Sequence, residues 1–386
     1  MSQGEERPGD DADELRRIRA ELDVIDEQIL SATARRMGLV RRVAELKRAA
    51  GRPTFDRARE RAMAERTHAL AERVGLDRHT ARLVTTALLE ASHHTQEALL
   101  AEATSARSTT PRRFAIVGGR GQMGRLFGRW LEARGHSVQA LDLDDDLYSD
   151  AILPDVDCAV VSVPMAVSAE VARVVGARLR PGALLTDLNS LKTEICEAMA
   201  STPATEVLGL HPMFGPSVTS LRRQKVVTCA VRPGPLGEAL RHELGTMGAE
   251  LIEATPEQHD RMMAVIQVLV HFSTLARGHA LRRIGVPIEQ SLTFTSPIYR
   301  LELAFIGRLF AQSPELYAEI TMRNPHSAAV REAFIGAVRD LDAAVGSGDR
   351  ESFRGAFAET RGYFSEFGAD AMRLSDLLIE TLVREA

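Results

Sequence analysis

Apolar residues near the start of the chain recur at alternating steps of three and four, which is the spacing of one face of a long helix. A buried cation on such a face must meet an anion, either a ligand or a salt-bridge partner. The members of this face, called the helix seam below, include one arginine and are Leu15, Ile18, Leu22, Ile25, Ile29, Ala32, Arg36, Leu39, Val43 and Leu46. The seam therefore predicts a long helix that packs on another helix.

Turn and cap residues divide the N-terminal part further. Residues 1–13 are polar and acidic, which predicts a disordered tail. A Gly-Arg-Pro break at 51–53 ends the long helix, and Asp56 and Asp77 are placed to cap a second and a third helix. Three helices in about ninety residues make a thin core, so we expect this part to pair with a second copy.

After a linker rich in Ser, Thr, Pro and Arg, the period changes from helical to strand-like. The apolar runs alternate with helical segments, which predicts a parallel sheet flanked by helices. These runs are 114–117, 138–141, 158–163, 183–188 and 207–210. Beyond about Thr255 helical patterns continue almost to the end. The chain is therefore predicted to be multi-domain, with the divisions 1–13 (tail), 14–102 (helical), 103–112 (linker), 113–255 (sheet) and 256–386 (helical).

A glycine-rich turn follows the first strand and opens a helix. Its residues are Gly119, Gly121, Gln122, Met123 and Gly124. In that context glycines let the backbone approach a pyrophosphate, and the helix N-terminus favours its negative charge. Asp142 ends the next strand, where a carboxylate accepts ribose hydroxyls and repels a 2′-phosphate. The motif predicts NAD rather than NADP; a turn that binds no dinucleotide is the alternative.

His211 is the main candidate for catalysis, because it comes just past a predicted strand whose carboxyl end faces the dinucleotide crevice. A neutral imidazole there can accept a hydroxyl proton while a nicotinamide takes a hydride. Ser190 and Lys192 follow an earlier strand, and Arg300 in the helical part is a candidate carboxylate clamp.

Two further polar residues stand on an otherwise apolar helix. Gln267 and His271 are four residues apart, so they are expected to share a face. Taken alone, a buried hydrogen-bonded pair is the simplest interpretation.

Composition limits the partners and the location. Lys and Arg number 48 against 53 Asp and Glu, a formal net charge of −5, so the balance attracts neither nucleic acid nor an anionic membrane. Cys158, Cys196 and Cys229 have no disulfide or metal-ligand spacing and are interpreted as buried thiols. Because neither a leader nor an apolar run of about 20 residues is present, we expect a soluble cytoplasmic protein.

Several segments together resemble the prephenate dehydrogenase domain of the bifunctional chorismate mutase/prephenate dehydrogenases of tyrosine biosynthesis. They are GGRGQMG at 118–124, SVP at 162–164, LHPMFGP at 210–216, Gln267 with His271, and SPIYRLELA at 296–304. The resemblance implies NAD-dependent oxidative decarboxylation of prephenate. His211 would accept the 4-hydroxyl proton, Ser190 would stand beside it, and Arg300 would bind the ring carboxylate, with His271 tied to substrate or tyrosine.

Two positions depart from this family pattern. Ser217 stands where an acid is expected, and Val270 where an arginine is expected. Both departures lie near the implied substrate pocket, so side-chain specificity and feedback by tyrosine stay open.

Residues from about Leu15 to Leu100 resemble the all-helical chorismate mutases. The positions that bind substrate in that family are matched by Arg19, Arg36, Lys47, Asp56, Glu60, Ser92 and Gln96. The resemblance implies a homodimer in which Arg19 reaches the other protomer's site. The implied fold is an all-helical chorismate mutase domain, then an α/β Rossmann-type dinucleotide-binding domain, then an all-helical C-terminal dimerisation domain.

Other functions fit part of these observations. A mutase and dehydrogenase acting on 4-amino-4-deoxychorismate and its product is expected to replace His211, whereas an arogenate dehydrogenase is poorly distinguished by sequence. A β-hydroxyacid dehydrogenase needs a lysine in its helical domain, and residues 265–300 contain none. A non-enzymatic NAD sensor would show degraded catalytic positions, and here they are intact.

Overall fold

The computed structural model describes residues 10–49, 57–104, 110–142, 144–145, 152–203 and 206–384. The chain divides into two compact units, Met1–Arg107 and Ser108–Ala386. This division falls inside the linker predicted at 103–112, while the finer domain boundaries stay predictions.

The N-terminal unit is helical throughout its described residues. Its helices are α1 (Asp10–Ala49), α2 (Arg57–Val74) and α3 (Arg78–Thr104). The predicted cap of α3 is present, because the Asp77 carboxylate accepts the backbone N–H of Thr80 at 2.9 Å. Asp56, the predicted cap of α2, lies outside the described residues.

The predicted disordered tail is wrong for its last four residues, since α1 already begins at Asp10. The sequence there is acidic, and negative charge in the first turn of a helix is favourable against the helix dipole. The rest of the predicted tail, residues 1–9, lies outside the described part.

The helix seam is only partly covered within one copy of the chain. α1 packs on α3, yet Leu22, Ile25 and Ile29 remain 52%, 49% and 56% exposed. An apolar stripe of this length gains stability only when another apolar surface covers it.

The second unit is built on a seven-stranded sheet in its described residues, with the order β2-β1-β3-β4-β5-β6-β7. The strands are β1 (Arg113–Val117), β2 (Ser137–Leu141), β3 (Cys158–Val161), β4 (Leu184–Asp187), β5 (Glu206–Pro212), β6 (Lys225–Arg232) and β7 (Glu250–Glu253). Neighbours from β2 to β5 pair in parallel, as predicted.

Two details of the sheet differ from prediction. β6 pairs antiparallel with β5, because the connection after Pro212 holds no crossover helix and the chain simply turns back. His211 lies within β5 rather than just past it, since pairing with Val227 of β6 extends the strand.

Helices cover both faces of the sheet. They are α4 (Gln122–Ala133), α5 (Met165–Gly176), α6 (Thr193–Ala200) and α7 (Pro235–Thr246). Ala115 and Val117 of β1 belong to the core on one face, and Phe114 and Ile116 to the core on the other, as strand alternation requires. The cysteines are free and buried, as predicted.

The rest of the unit is helical, which confirms the predicted C-terminal fold. Its helices are α8 (Pro256–Met263), α9 (Val270–Ile284), α10 (Ile288–Thr293), α11 (Pro297–Phe310), α12 (Pro314–Arg323), α13 (Ser327–Ser347), α14 (Arg350–Tyr363) and α15 (Gly368–Arg384). A π-helical segment, Ala264–Leu269, joins α8 to α9. Among the described helices, none combines the length and the apolar character needed to cross a bilayer.

Candidate active sites

The glycine-rich turn brings the end of β1 directly onto the start of α4. Gly118 has a positive φ of 81°, and the N–H groups of Gly118 and Gly119 donate to the carbonyl of Leu141 at 2.8 and 3.1 Å. Gly121 is the N-cap of α4 and gives its first turn no side-chain hydrogen bond. The N-terminus of α4 is thus built to receive an anion from outside the chain.

Close backbone packing requires glycine at two of the predicted positions. A Cβ on Gly124 would lie 2.4 Å from the carbonyl oxygen of Gly118, and one on Gly119 would lie 2.7 Å from Cβ of Ala140. Gln122 is exposed and Met123 is half-buried in the first turn of α4.

Asp142 follows β2 directly, as the dinucleotide motif requires. Its Oδ2 accepts the backbone N–H of Arg120 at 3.1 Å. The guanidinium of Arg120, in the same turn, pairs with Asp145 at 2.9 Å and with Asp144 at 3.5 Å.

His211 is buried near the carboxyl end of β5, with only 3% of its surface exposed. Its Nδ1 lies 2.8 Å from Nε2 of His259, and its Nε2 lies 3.5 Å from Nε2 of Gln267. Burial lowers the pKa of His211 well below its usual value, and nearby His259 and Lys192 lower it further. The imidazole is therefore neutral and able to accept a proton.

His259 and Asp260 are not among the predicted site residues, although they continue the polar contacts of His211. Nδ1 of His259 lies 2.7 Å from Oδ1 of Asp260, and both residues are buried. They stand on α8, whose start is fixed by a capping box of Thr255 and Gln258. An adjacent His-Asp pair just inside an N-capped helix is the sequence signal that could have identified them.

Lys192 is fully buried beneath the end of β5. Its ammonium donates to the carboxylate of Asp187 and, at 2.8 Å, to the carbonyl of Leu210, the residue before His211. Lys192 therefore supports the backbone next to His211, which is a structural role.

Two other predicted partners are not brought onto His211. Ser190 is half-buried beyond β4, and Arg300 is exposed in the first turn of α11. Among the described residues, no hydrogen bond joins either of them to His211. Their roles stay predictions.

The π-helical segment separates Gln267 from His271. The side-chain amide of Gln267 lies against the imidazole of His211. The ring of His271 instead packs edge-on against Tyr317, with ring centroids 4.8 Å apart. The expected hydrogen-bonded pair is therefore wrong, because the wider π-helical turn changes the angular offset between positions four apart. Burial lowers the pKa of His271.

In the N-terminal unit, Arg36 meets neutral acceptors. Its Nη1 donates to Oγ of Ser92 at 2.5 Å and to the carbonyl of Leu88 at 2.9 Å. Among the described side chains no carboxylate pairs with Arg36, although burial lowers its pKa. The described side chains of this unit therefore do not supply the anion that a cation on an apolar helix face requires.

The other predicted mutase residues are described unevenly. Arg19 is exposed and Lys47 is half-buried on α1. Asp56 and the side chains of Glu60 and Gln96 lie outside what the structure describes.

Comparisons with known families match three consecutive parts of the chain. Residues 18–97 match chorismate mutase type II, residues 129–231 match the nucleotide-binding domain of prephenate dehydrogenase, and residues 255–359 match its dimerization domain. A T-protein of Haemophilus influenzae is 33% identical over 366 residues, which cover 95% of this chain and 96% of that protein.

The chain belongs to the T-proteins, the bifunctional chorismate mutase/prephenate dehydrogenases. It is an isomerase and an oxidoreductase of tyrosine biosynthesis, as the sequence motifs predict. The match to the nucleotide-binding family includes Asp142 of the predicted nucleotide site and begins after the glycine-rich turn.

Two other comparisons concern the dehydrogenase half of the chain. A 4-amino-4-deoxyprephenate dehydrogenase of Streptomyces pristinaespiralis is 32% identical over 280 residues, covering 68% of this chain and 94% of that relative. The crystal structure of prephenate dehydrogenase from A. aeolicus with hydroxyphenyl propionate and NAD+ covers 68% of this chain and 100% of its own, with a TM-score of 0.55 and 18% identity. The latter likeness establishes the fold alone.

Proposed function

We propose that the dehydrogenase half oxidises prephenate, rather than its amino analogues, with NAD as cofactor and His211 as the proton acceptor. The observation that carries this proposal is the buried, neutral imidazole of His211 at the end of β5, with Nε2 turned toward Gln267. A neutral acceptor suits a substrate that must lose a hydroxyl proton.

The residues of the turn after β1 fit NAD. The glycines let the first turn of α4 pack against the end of β1, α4 presents its N-terminus to a pyrophosphate, and Asp142 stands where a ribose would need an acceptor. NAD supplies the hydride acceptor when it is bound.

His211 then takes the 4-hydroxyl proton at Nε2 as the carbinol carbon loses its hydride. The carbon–carboxylate bond breaks and carbon dioxide leaves. The electron pair of that bond completes the aromatic ring, and the resulting phenolate oxygen takes the proton back from His211 to give 4-hydroxyphenylpyruvate. Aromatisation provides the driving force, so positioning and one acceptor suffice.

Other side chains bind the substrate in this proposal. Arg300 holds the ring carboxylate, which its exposed guanidinium at the start of α11 supports. Ser190 lies near the hydroxyl, and His271 lines the side-chain end of the pocket. Gln267 also contacts substrate, since its buried Oε1 has no hydrogen-bond partner among the described residues.

In the mutase half, cations and donors hold chorismate in its reactive shape. Arg19, Arg36 and Lys47 bind the two carboxylates of chorismate. Gln96 donates a hydrogen bond to the oxygen of the breaking ether bond. Asp56 and Glu60 contact the hydroxyl group, and Ser92 lies beside these substrate-binding residues. The hydrogen bonds of Arg36 to neutral acceptors alone, among the side chains that the structure describes, support this assignment. A pericyclic rearrangement needs only such positioning and electrostatic support.

The active form is a homodimer in this proposal. The open helix seam on α1 and the match of residues 255–359 to a dimerization domain both support it. The cytoplasmic location stays a prediction.

Activity on 4-amino-4-deoxyprephenate is the second candidate, because the Streptomyces relative carries that name over most of the dehydrogenase half. The retained His211 favours the hydroxyl substrate. NADH formation by the purified protein should be measured with prephenate, arogenate and 4-amino-4-deoxyprephenate. We expect kcat/KM to be highest for prephenate; a higher value for the 4-amino compound would move the protein to the second candidate.

A further inference from the structure

Two buried residues lie behind His211 on the side away from Gln267. His259 and Asp260 are 2% and 1% exposed, and they continue the polar contacts of His211 into the protein. The oxidation proposed above uses neither of them. Burying a histidine and a carboxylate is costly, so their placement calls for an explanation.

Asp260 is held as a carboxylate. Its Oδ1 accepts the backbone N–H of Lys192 and its Oδ2 that of Thr193, both at 2.8 Å. These groups open α6, whose dipole favours negative charge. Although burial opposes ionisation, the hydrogen bonds from His259, Thr193 and Lys192 lower the pKa of Asp260.

The carboxylate decides where the protons of the two histidines lie. Because Asp260 only accepts, Nδ1 of His259 must carry the proton between them. Burial lowers the pKa of His259, so its Nε2 is unprotonated and accepts from His211. Nδ1 of His211 is therefore the protonated nitrogen, and its Nε2 carries the free lone pair.

The opposite side of His211 is consistent with this tautomer. The side-chain amide nitrogen of Gln267, which can only donate, lies 3.5 Å from Nε2 of His211. The unprotonated Nε2 of His211 thus faces the side of Gln267, where the substrate hydroxyl would donate its proton.

We propose that His259 and Asp260 are positioning residues that fix the tautomer of His211 and share the positive charge it acquires during oxidation. This inference rests on the proposed role of His211 as proton acceptor. The substrate hydroxyl proton moves to Nε2 of His211, and the Nδ1 proton of His211 can shift to Nε2 of His259. The cation then lies beside the Asp260 carboxylate. A bound nicotinamide would accept the hydride separately, and the proton returns through His211 to the phenolate oxygen when carbon dioxide leaves, so charge and atoms balance.

Among the residues that the structure describes, one further charged pair lies near His211 and His259. Lys192 and Asp187 lie beneath the end of β5, and the Lys192 ammonium lowers the pKa of both His211 and His259. The pair is left intact in the variants below, so it contributes equally to each of them.

The first test compares two replacements of His259. Leucine removes the acceptor for Nδ1–H of His211, whereas glutamine can supply one. We expect His259→Leu to lower kcat for prephenate oxidation about 100-fold, within the range of general-base contributions, and to change KM by less than about threefold. We expect His259→Gln to retain kcat within about tenfold of wild type. Equal losses in both variants, or no loss in either, would overturn the proposal.

The second test is the pH profile of Asp260→Asn. Its carboxylate raises the pKa of His211, so its removal should move the acid limb of kcat/KM to lower pH while kcat falls. An acid limb at the wild-type position contradicts charge sharing. Should Asp260→Asn fail to fold, the two His259 variants still decide.

Controls separate a positioning role from loss of structure. Mutase activity reports on the folding of the N-terminal unit, whereas NAD affinity and the unfolding midpoint report on the second unit. His242→Leu is the matched control substitution, because it replaces an exposed histidine on α7. Loss of NAD affinity in parallel with kcat would make the role of His259 merely structural and overturn the proposal. Full prephenate oxidation by His211→Asn would instead refute the proposed function, and this inference with it.

Discussion

The chemistry of His211 follows from its location. On a solvated loop the same imidazole would titrate near pH 6.5 and be partly charged in the neutral range. Inside β5 it is desolvated, held between His259 and Gln267, and kept neutral. A single buried position thus provides an acceptor that needs no reorganisation before the reaction.

The pH dependence of oxidation tests this residue. The acceptor must be neutral, and burial places its pKa well below its usual value, so protonation should stop the reaction only in more acidic solution. We expect kcat/KM for prephenate to stay level down to about pH 6.5 and to decline below it. A midpoint above pH 6.5 in the NADH assay would contradict a buried, neutral His211.

Sequence indicated which residue types carry the chemistry but not all of their contacts. His211 was identifiable because its motif follows a strand that leads to a dinucleotide crevice. His259 was not, because its contact with His211 joins residues 48 positions apart and no local periodicity encodes it. The separation of Gln267 from His271 depended on a π-helical segment that an α-helical period cannot predict.

At the scale of elements, the turn from β1 to α4 forms the nucleotide site through backbone contact. Gly124 packs its Cα directly over the carbonyl of Gly118, which brings the first turn of α4 close to the strand. A second glycine of the same helix, Gly128, has ordinary clearance, since a Cβ there would lie 3.6 Å from Ile116.

This difference gives a matched pair of variants on α4. Gly124→Ala forces a Cβ to within 2.4 Å of a backbone oxygen that cannot move cheaply, so the turn must shift. We expect NAD to bind about 100-fold more weakly to Gly124→Ala, a loss of roughly 2.7 kcal/mol, and about equally to wild type and Gly128→Ala. Titration calorimetry with NAD measures both; equal affinity of all three proteins would refute the backbone argument.

The buried pair of Lys192 and Asp187 joins β4 to the end of β5. Removing only the cation in Lys192→Met leaves a carboxylate without its partner in a fully buried site. We expect the free energy of unfolding of the second unit to fall by about 3–5 kcal/mol. The double variant Lys192→Met/Asp187→Leu should recover part of this loss in urea unfolding; a single variant as stable as wild type would contradict the pair's role.

For the whole molecule, the fold class was predictable because each unit has its own period. Helical spacing, then alternation of strands and helices, then helical spacing again marked the order of the domains. The last two strands, β6 and β7, were less predictable, because β6 returns antiparallel without a crossover helix and the edge strand β7 is largely exposed. The start of α1 at Asp10 was not predictable, because a polar, acidic composition is shared by tails and by the first turns of helices.

The open helix seam leads to a prediction about assembly. Ile29 is 56% exposed in one copy, so a charge there should break a contact between copies. We expect Ile29→Glu to lose at least about 90% of mutase activity while prephenate oxidation stays near wild type. Glu27→Gln, on the opposite side of α1, is the control. Unchanged mutase activity in Ile29→Glu would show that the seam is not part of a functional interface.

The central claim is that two separate sites, at Arg36 and at His211, act in sequence on one substrate. The most direct test supplies chorismate alone with NAD and records NADH. Wild type should form NADH, Arg36→Ala and His211→Asn should each form none, and a mixture of the two variants should restore it through released prephenate. NADH from chorismate with Arg36→Ala alone, or none with wild type, would contradict the account.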